Sequence, residues 1–283
     1  MAKAPGRLTI FAGTGTLVSH AVDAALAAGY KVQVLSLTPR DDITKVKVIA
    51  ADTGNPLGIV WALKIFRTTH IVMAGAIHLS DTTRENLIRF ANKDAPAKAN
   101  TASGPVGDAT LAALGSVLKK MTGATLVGIH EIAPDLLTPE AEIAGPALGP
   151  GEVDYAQFAL RTARAIGILD IGQAAVVSGH RVIAVEDIGG TDALIARIGE
   201  LRGQGLAGDG AARLILAKAI KPQQPEFADL PAIGVDTVLN CAEAGIAVIV
   251  AEAGNSLLLQ REAVIEAANR LNVSVVGMVL AYG

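Results

Sequence analysis

The stretch of this chain richest in groups that could act on phosphate is Lys218–Gly234, KAIKPQQPEFADLPAIG. It sets Lys218 and Lys221 three residues apart, stiffens the chain at Pro222 and Pro225, and puts Asp229 just ahead of Leu230-Pro231. The stretch follows a predicted strand. Lysines at a strand end can hold phosphates as point charges. A carboxylate among cations can bind Mg²⁺ or activate a water. A surface loop with solvated charges has the same composition, so both readings stand; long ordered loops in compact domains are often functional. Two further acidic segments also come directly after predicted strands: Glu186-Asp187 with Thr191-Asp192, and Glu252-Ala253-Gly254-Asn255. Open α/β sheets bind ligands outside the carboxyl ends of their strands. Each segment taken alone also reads as a helix cap or a solvated loop.

A second place for phosphate is the turn Gly13-Thr14-Gly15, between a predicted strand and a predicted helix. Backbone N–H groups and the helix dipole can hold an anion there. It is a poor dinucleotide fingerprint, because Val18 stands where the third glycine would be and Ser36-Leu37-Thr38 end the next strand without an acid for a ribose. A plain tight turn is the competing reading. His20, His70, His78, His130 and His180 show no metal-ligand spacing. Ser19 and Ser256 lack the context of an activated nucleophile. Cys241, the only cysteine, falls on a predicted helix away from cations and reads as a small buried apolar group.

The elements that must position these groups follow a regular grammar. Strands are predicted at Arg7–Ala12, Lys31–Leu37, Lys45–Ala50, His70–Met73 and Ala124–Ile129. Between them the pattern predicts helices at Leu17–Ala28 (closed by Gly29), Leu57–Phe66, Asp81–Asn92 and Gly107–Met121, the last with Asp108 in its first turn. That alternation implies a parallel sheet. Ala144–Gly151, AGPALGPG, marks a break, and a domain boundary is expected there: residues 1–144 as a Rossmann-like α/β domain, residues 145–283 as a catalytic α/β domain with a mixed sheet. The second half begins with a helix over Val153–Ile166. Ala174–Val177 and Arg181–Val185 then flank Ser178-Gly179-His180 as a hairpin. Helices follow at Thr191–Leu201, Asp236–Ala244 and Arg261–Leu271, and strands at Arg213–Ala217, Ile246–Ala251 and Val273–Val279.

Composition narrows the classes. The 283 residues are 51% hydrophobic and 18% charged, enough for a sizeable core and against disorder. Mean hydropathy is +0.44, carried by aliphatic residues because aromatics are only 3%. A net charge of −3 with no basic run, and few stacking side chains, argue against nucleic-acid binding. One cysteine excludes an internal disulfide framework and fits a reducing compartment. The N-terminal residues do not read as a signal peptide, and no apolar run is long enough to span a bilayer. A cytoplasmic protein is expected, with any membrane contact peripheral. A homodimer is expected from the frequency of two-fold assemblies.

With those residues in view, the chain resembles the LpxI family of UDP-2,3-diacylglucosamine pyrophosphatases of lipid A biosynthesis. Gly167 with Asp170-Ile171-Gly172-Gln173 is similar to the family's G-x-x-D-x-G-Q, and Glu186 with Gly190-Thr191-Asp192-Ala193 to its V-E-x-x-x-G-T-D-A. Lys218, Lys221-Pro222, Gln224 and Asp229-Leu230-Pro231 resemble its K-x-x-K-P-x-Q followed by D-L-P. Glu252-Ala253-Gly254 with Leu257–Leu259 resembles its E-A-G-x-x-x-L-L, and His130-Glu131 and Pro134 also fit. The first half departs more. Thr14 and Val18 replace a glycine and a proline, and Leu79, Ala109, Pro225 and Phe227 stand where the family carries two cations and two carboxylates.

The resemblance implies a two-domain hydrolase that splits the pyrophosphate of UDP-2,3-diacylglucosamine into UMP and 2,3-diacylglucosamine 1-phosphate with Mg²⁺ or Mn²⁺. It implies Asp229 as the catalytic carboxylate. Substrate contacts are expected from Gly13, Thr14, Gly15, Gly75, Gln173, Thr191, Asp192, Lys218, Lys221 and Gln224. Asp229, Glu186 and Glu252 are the candidate metal ligands. The departures leave open a paralogue that binds a nucleotide or nucleotide-sugar without this reaction. A nucleotide-cofactor enzyme is disfavoured by the missing ribose acid.

Overall fold

The computed structural model describes residues 6–52, 54–75, 117–208, 210–222 and 230–281. The helix expected at Asp81–Asn92, His78, Asp108, and the site candidates Gln224 and Asp229 lie outside the described residues. The described chain divides into two compact units, one up to Asp135 and one from Leu136 onward.

In the first unit, β1 (Arg7–Ala12), β2 (Lys31–Ser36), β3 (Lys47–Ala50), β4 (His70–Ala74) and β5 (Thr125–Leu126) form one sheet in the order β3-β2-β1-β4-β5. Every pair is parallel. The crossovers are made by α1 (Leu17–Ala27) and α2 (Pro56–Phe66), while residues 117–122 are helical and lead to β5. α2 starts where the side chain of Asn55 accepts from the Gly58 N–H and Pro56 supplies a preset first turn. Its Val60 and Leu63 pack on Phe11, Leu35, Ile71 and Met73 of the sheet. The strand expected over Ala124–Ile129 ends at Leu126, because Ile129 opens a short helix, α3 (Ile129–Ile132), whose first turn is tied by the Glu131 carboxylate on the Gly128 N–H at 2.8 Å.

The second unit is a six-stranded mixed sheet. It contains β6 (Ala141–Ala144), β7 (Ala174–Ser178), β8 (Arg181–Val185), β9 (Leu214–Lys218), β11 (Val248–Glu252) and β13 (Ser274–Met278), in the order β6-β13-β11-β9-β7-β8. The central strands β13, β11 and β9 are parallel; β6, β7 and β8 run antiparallel to their neighbours. β10 (Ala232–Ile233) and β12 (Leu257–Leu258) make a separate two-stranded pair. α4 (Glu152–Ile168) covers one face through Ala156, Ala159, Leu160 and Ala163. α5 (Gly190–Gly203), α6 (Val235–Glu243) and α7 (Arg261–Leu271) cover the other.

The Ala144–Gly151 break does not separate the units. It joins β6 to α4 inside the second unit, because β6, too short and polar to read as a strand, pairs on β13 at the sheet's edge. That loop is held by an ion pair: Arg213 donates from Nε and Nη2 to Glu152, both at 2.6 Å, and from Nη1 to Ser274. The Arg213 guanidinium holds the Glu152 carboxyl below the usual carboxylate range, and the carboxylate raises the guanidinium in return.

Candidate functional site

Sheet register gathers most of the predicted second-half residues at one edge. Lys218, the last residue of β9, lies opposite Ala251 of β11 and Ala174 of β7. Glu252 therefore ends β11 beside it, Gln173 immediately precedes β7 beside it, and Glu186 follows β8, whose Val185 is opposite Ala175. Lys221 lies in the loop that leaves the same edge. Two parallel strands and one antiparallel hairpin thus deliver two lysines and two carboxylates to one rim, outside the carboxyl ends of β9 and β11.

Both carboxylates there are buried, Glu186 at 5% and Glu252 at 3% exposure, so their partners decide what they do. Glu186 accepts from the Gln173 N–H at 2.6 Å and from the Thr191 hydroxyl at 2.8 Å, one donor on each oxygen. Glu252 accepts from the Ile220 N–H at 3.1 Å and Arg164 Nη1 at 3.3 Å on one oxygen, and from Asn255 Nδ2 at 2.8 Å on the other. A buried carboxylate is tolerated when donors compensate its lost water. Here the donors are the loop leaving β9, the start of β7 and the start of α5. These two acids clamp loops. Each of their oxygens faces an N–H or O–H donor, and a carboxylate oxygen carries a second lone pair besides, so the clamp and a metal ligand draw on the same two acids. Among the described residues, no group of three His, Cys, Asp or Glu side chains could hold a metal ion.

The same edge explains Gly172 and the aspartate near Gln173. A Cβ at Gly172 would run into the Glu186 backbone carbonyl and side chain, while one at Gly167 would make ordinary contact with Lys221 and Pro222. Asp170 adopts φ 54° at the end of α4 and pairs with the Lys221 ammonium. The Ala219 N–H donates to the Gln173 carbonyl at 3.0 Å. Arg164 Nη1 also reaches the Ile220 carbonyl at 2.9 Å. The segment Ala219–Lys221 is therefore bonded from α4, from β7 and from β11. The buried Lys218 ammonium donates to the Ala232 carbonyl at 3.0 Å across the loop's far end.

Asp192 stands apart from this clamp. It is in the first turn of α5, 3.5 Å from Asn240 Nδ2, and lines a groove of about 460 Å³ with Ile195, Gly199, Asn240 and Glu243. Cys241 lies buried on α6, and burial pushes its thiol up to about 12, as expected for an inert apolar group.

In the first unit, β1 and β4 end side by side, which brings Gly75 against the Gly13–Gly15 turn. The Gly13 N–H donates to the Ala74 carbonyl at 2.9 Å. Gly75 has φ 82°, and a Cβ there would collide with the Thr14 carbonyl, so the two backbones can cross only at glycine. Arg40 extends under the turn. Its Nη1 donates to the carbonyls of Gly13 and Gly15, both at 3.0 Å, while Nε and Nη2 fork onto Asp42 at 2.8 and 2.6 Å. That guanidinium holds the Asp42 carboxyl below its ordinary range. Beside it, a cavity of about 630 Å³ opens past the end of β2, lined by Ser36, Thr38, Arg40, Ile43, Val48 and Ala50.

Residue spacing missed Arg40 and Arg164. Arg164 carried a usable signal: on α4 it sits four residues after the buried Leu160, a charge on an otherwise apolar stripe. Such a charge needs a buried partner.

The comparisons with known proteins bear on this edge. Residues 7–136 match the LpxI N-terminal domain and residues 139–276 the LpxI C-terminal domain. The chain belongs to the LpxI family. The UDP-2,3-diacylglucosamine pyrophosphatase LpxI of Caulobacter vibrioides is 43% identical over 157 residues, which are 55% of this chain. The chain spans 56% of the length of that relative. Among solved structures, the Thermus thermophilus UDP-glucose 4-epimerase complex with NAD aligns at a TM-score of 0.33 and 16% identity, over 96% of this chain and 85% of that one. The GalE-like L-threonine dehydrogenase from Cupriavidus necator aligns at 0.29 and 11%, over 98% and 96%. Both scores are too low to carry fold or function across. Several of the second-half motifs that resembled the LpxI family are joined by the clamp: Gly167 to Gln173, Glu186 with Thr191, Lys218 to Lys221, and Glu252.

Proposed function

We propose that this protein hydrolyses the pyrophosphate of UDP-2,3-diacylglucosamine, releasing UMP and 2,3-diacylglucosamine 1-phosphate. Water adds to one phosphorus, the P–O bond to the bridging oxygen breaks, and the proton of water is taken up by a carboxylate. The observation that carries the reading is the lysine edge of the second unit: Lys218 and Lys221 held by bonds to the Ala232 carbonyl and Asp170, in a chain whose two halves match the two LpxI domains.

In this reading Lys218 and Lys221 balance the charge of the diphosphate, and Asp229 supports the attacking water. Gln173, Thr191, Asp192 and Gln224 contribute to substrate binding. The first unit, in this reading a Rossmann-like nucleotide domain, offers the Gly13–Gly15 turn and Gly75 as its phosphate contact. Mg²⁺ or Mn²⁺ dependence belongs to the same proposal. Asp229, Glu186 and Glu252 are the candidate ligands, and the cation they would hold would polarise the diphosphate. The cytoplasm is the proposed compartment.

The test is UMP release from UDP-2,3-diacylglucosamine by the wild type and by Asp229→Ala, with Mg²⁺ or Mn²⁺ and after chelation. Release that needs the cation and disappears in the variant supports the reading. A folded wild type that releases no UMP but binds the nucleotide-sugar refutes it in favour of a binding paralogue.

A further inference from the structure

α2 is apolar on every side and is buried on only one. Of its eleven residues, PLGIVWALKIF, only Lys64 has a charged side chain, and only Val60 and Leu63 are buried. A helix with that composition ordinarily lies inside a core or in lipid. Here Leu57, Trp61 and Ile65 are 60%, 67% and 71% exposed. Their spacing of four puts all three on one stripe. Trp61 is the chain's only tryptophan. Its ring pairs an apolar body with one N–H donor, the combination enriched where bilayer meets water.

The described charges at the stripe's C-terminal end are cationic, while Asp52 lies in the turn ahead of the helix. Lys64 is in the last turn, and Arg67 follows in the left-handed conformation that ends the helix. Arg7 lies over the Phe66 ring at 5.5 Å and donates to the Phe66 carbonyl at 3.0 Å, adding a third cation at that end. The helix itself carries no carboxylate. We propose that α2 is an interfacial helix that docks the protein on an anionic bilayer, with Leu57, Trp61 and Ile65 among the acyl chains and Lys64 and Arg67 at the lipid phosphates.

Charge complementarity points to lipid as the occupant. Lys64, Arg67 and Arg7 gather at one end of the stripe. Anionic headgroups complement them, each nearby Lys or Arg strengthening surface attraction. The choice of a bilayer rests on the proposed function, since a diacylated substrate resides in one.

The experiment uses the full chain and substrate-free vesicles of phosphatidylcholine, with or without phosphatidylglycerol. Trp61 reports its own environment. The expected result is a blue shift of its emission and co-sedimentation with the anionic vesicles, both weakened by salt. Leu57→Glu with Ile65→Glu keeps the probe and lowers vesicle affinity by about tenfold or more, as two charged side chains cannot enter the acyl region. The same variant releases UMP normally from detergent-dispersed substrate and slowly from vesicle-borne substrate. No blue shift and no sedimentation at low salt overturns the proposal. So does a blue shift that grows with protein concentration without lipid, which assigns the stripe to a second copy. Because the vesicles contain no substrate, either failure is separate from a failure to release UMP.

Discussion

Glu252 offers the sharpest test of the site, because a clamp and a metal ligand respond oppositely to Glu252→Gln. The carboxylate is 3% exposed and meets three donors: the Ile220 N–H at 3.1 Å, Arg164 Nη1 at 3.3 Å and Asn255 Nδ2 at 2.8 Å. Glutamine keeps the size but turns one acceptor into an NH₂ donor. With the amide oxygen kept toward Ile220 and Arg164, the new NH₂ faces the Asn255 amide, which must turn over to accept it, and Arg164 loses the negative charge of Glu252. Removing one member of a buried ion pair costs about 3–5 kcal/mol. Arg164 is 17% exposed and keeps the Ile220 carbonyl at 2.9 Å, so part of that cost is recovered. We expect a loss of about 2–4 kcal/mol, read from urea unfolding followed by far-UV circular dichroism. UMP release should fall by about tenfold to a hundredfold as the Ala219–Lys221 segment shifts. The cation concentration for half-maximal activity should stay where it is. Unchanged stability together with a raised cation requirement would refute the clamp and make Glu252 a ligand.

Two more outcomes follow from buried and half-buried groups. Glu152→Gln should destabilise the second unit by about 2 kcal/mol near neutral pH, since the carboxylate bonds Arg213 through two short contacts. Its native pKa lies below the ordinary 4.5, so the contribution is present above about 4.5 and disappears as pH falls through the lower native value. Urea midpoints of wild type and variant should therefore converge in acid, and an equal gap at every pH would count against the ion pair. The Cys241 thiol, pushed up to about 12 by burial, should resist a thiol reagent in the native protein at mildly alkaline pH. It should react once per chain in denaturant; rapid native labelling would show that α6 opens readily.

The alternation of apolar runs with Ala-rich segments was enough to predict the parallel sheet of the first unit and the hairpin of the second. Both are local patterns: a strand, a turn with glycine at Gly29 or Gly179, and the next element. β6 escaped because AEIA has no alternation and takes its strand conformation from β13, far along the chain. β10 and β12 escaped for the same reason, two residues each, defined only by pairing with one another. The Ala144–Gly151 prolines and glycines mark a sharp bend, and a bend within a unit has the same residues as a linker between units. What distinguishes them is the Arg213–Glu152 pair and the Ser274 hydroxyl on the Pro146 carbonyl, which are contacts across long separations.

The candidate site shows the same limit at the level of chemistry. Acids just after strands predicted a functional edge, and Glu186, Glu252 and Lys218 do share one. A buried carboxylate has the same sequence signature whether it binds metal or backbone, because burial near a strand end is common to both. Only its partners distinguish them, and those partners include backbone N–H groups of Gln173 and Ile220, which any residue type would supply. The glycine is more telling than the acids. Gly172 has no room for a side chain only because Glu186 approaches it. A glycine and an acid brought together this way imply a frame whose geometry is set before any ligand arrives. Preorganisation of that kind is what a diphosphate site needs, since its charges must be met without reorganising the protein during reaction. The cations of such a frame can be identified by type, but their usefulness depends on neutral and acidic neighbours that hold the loop still.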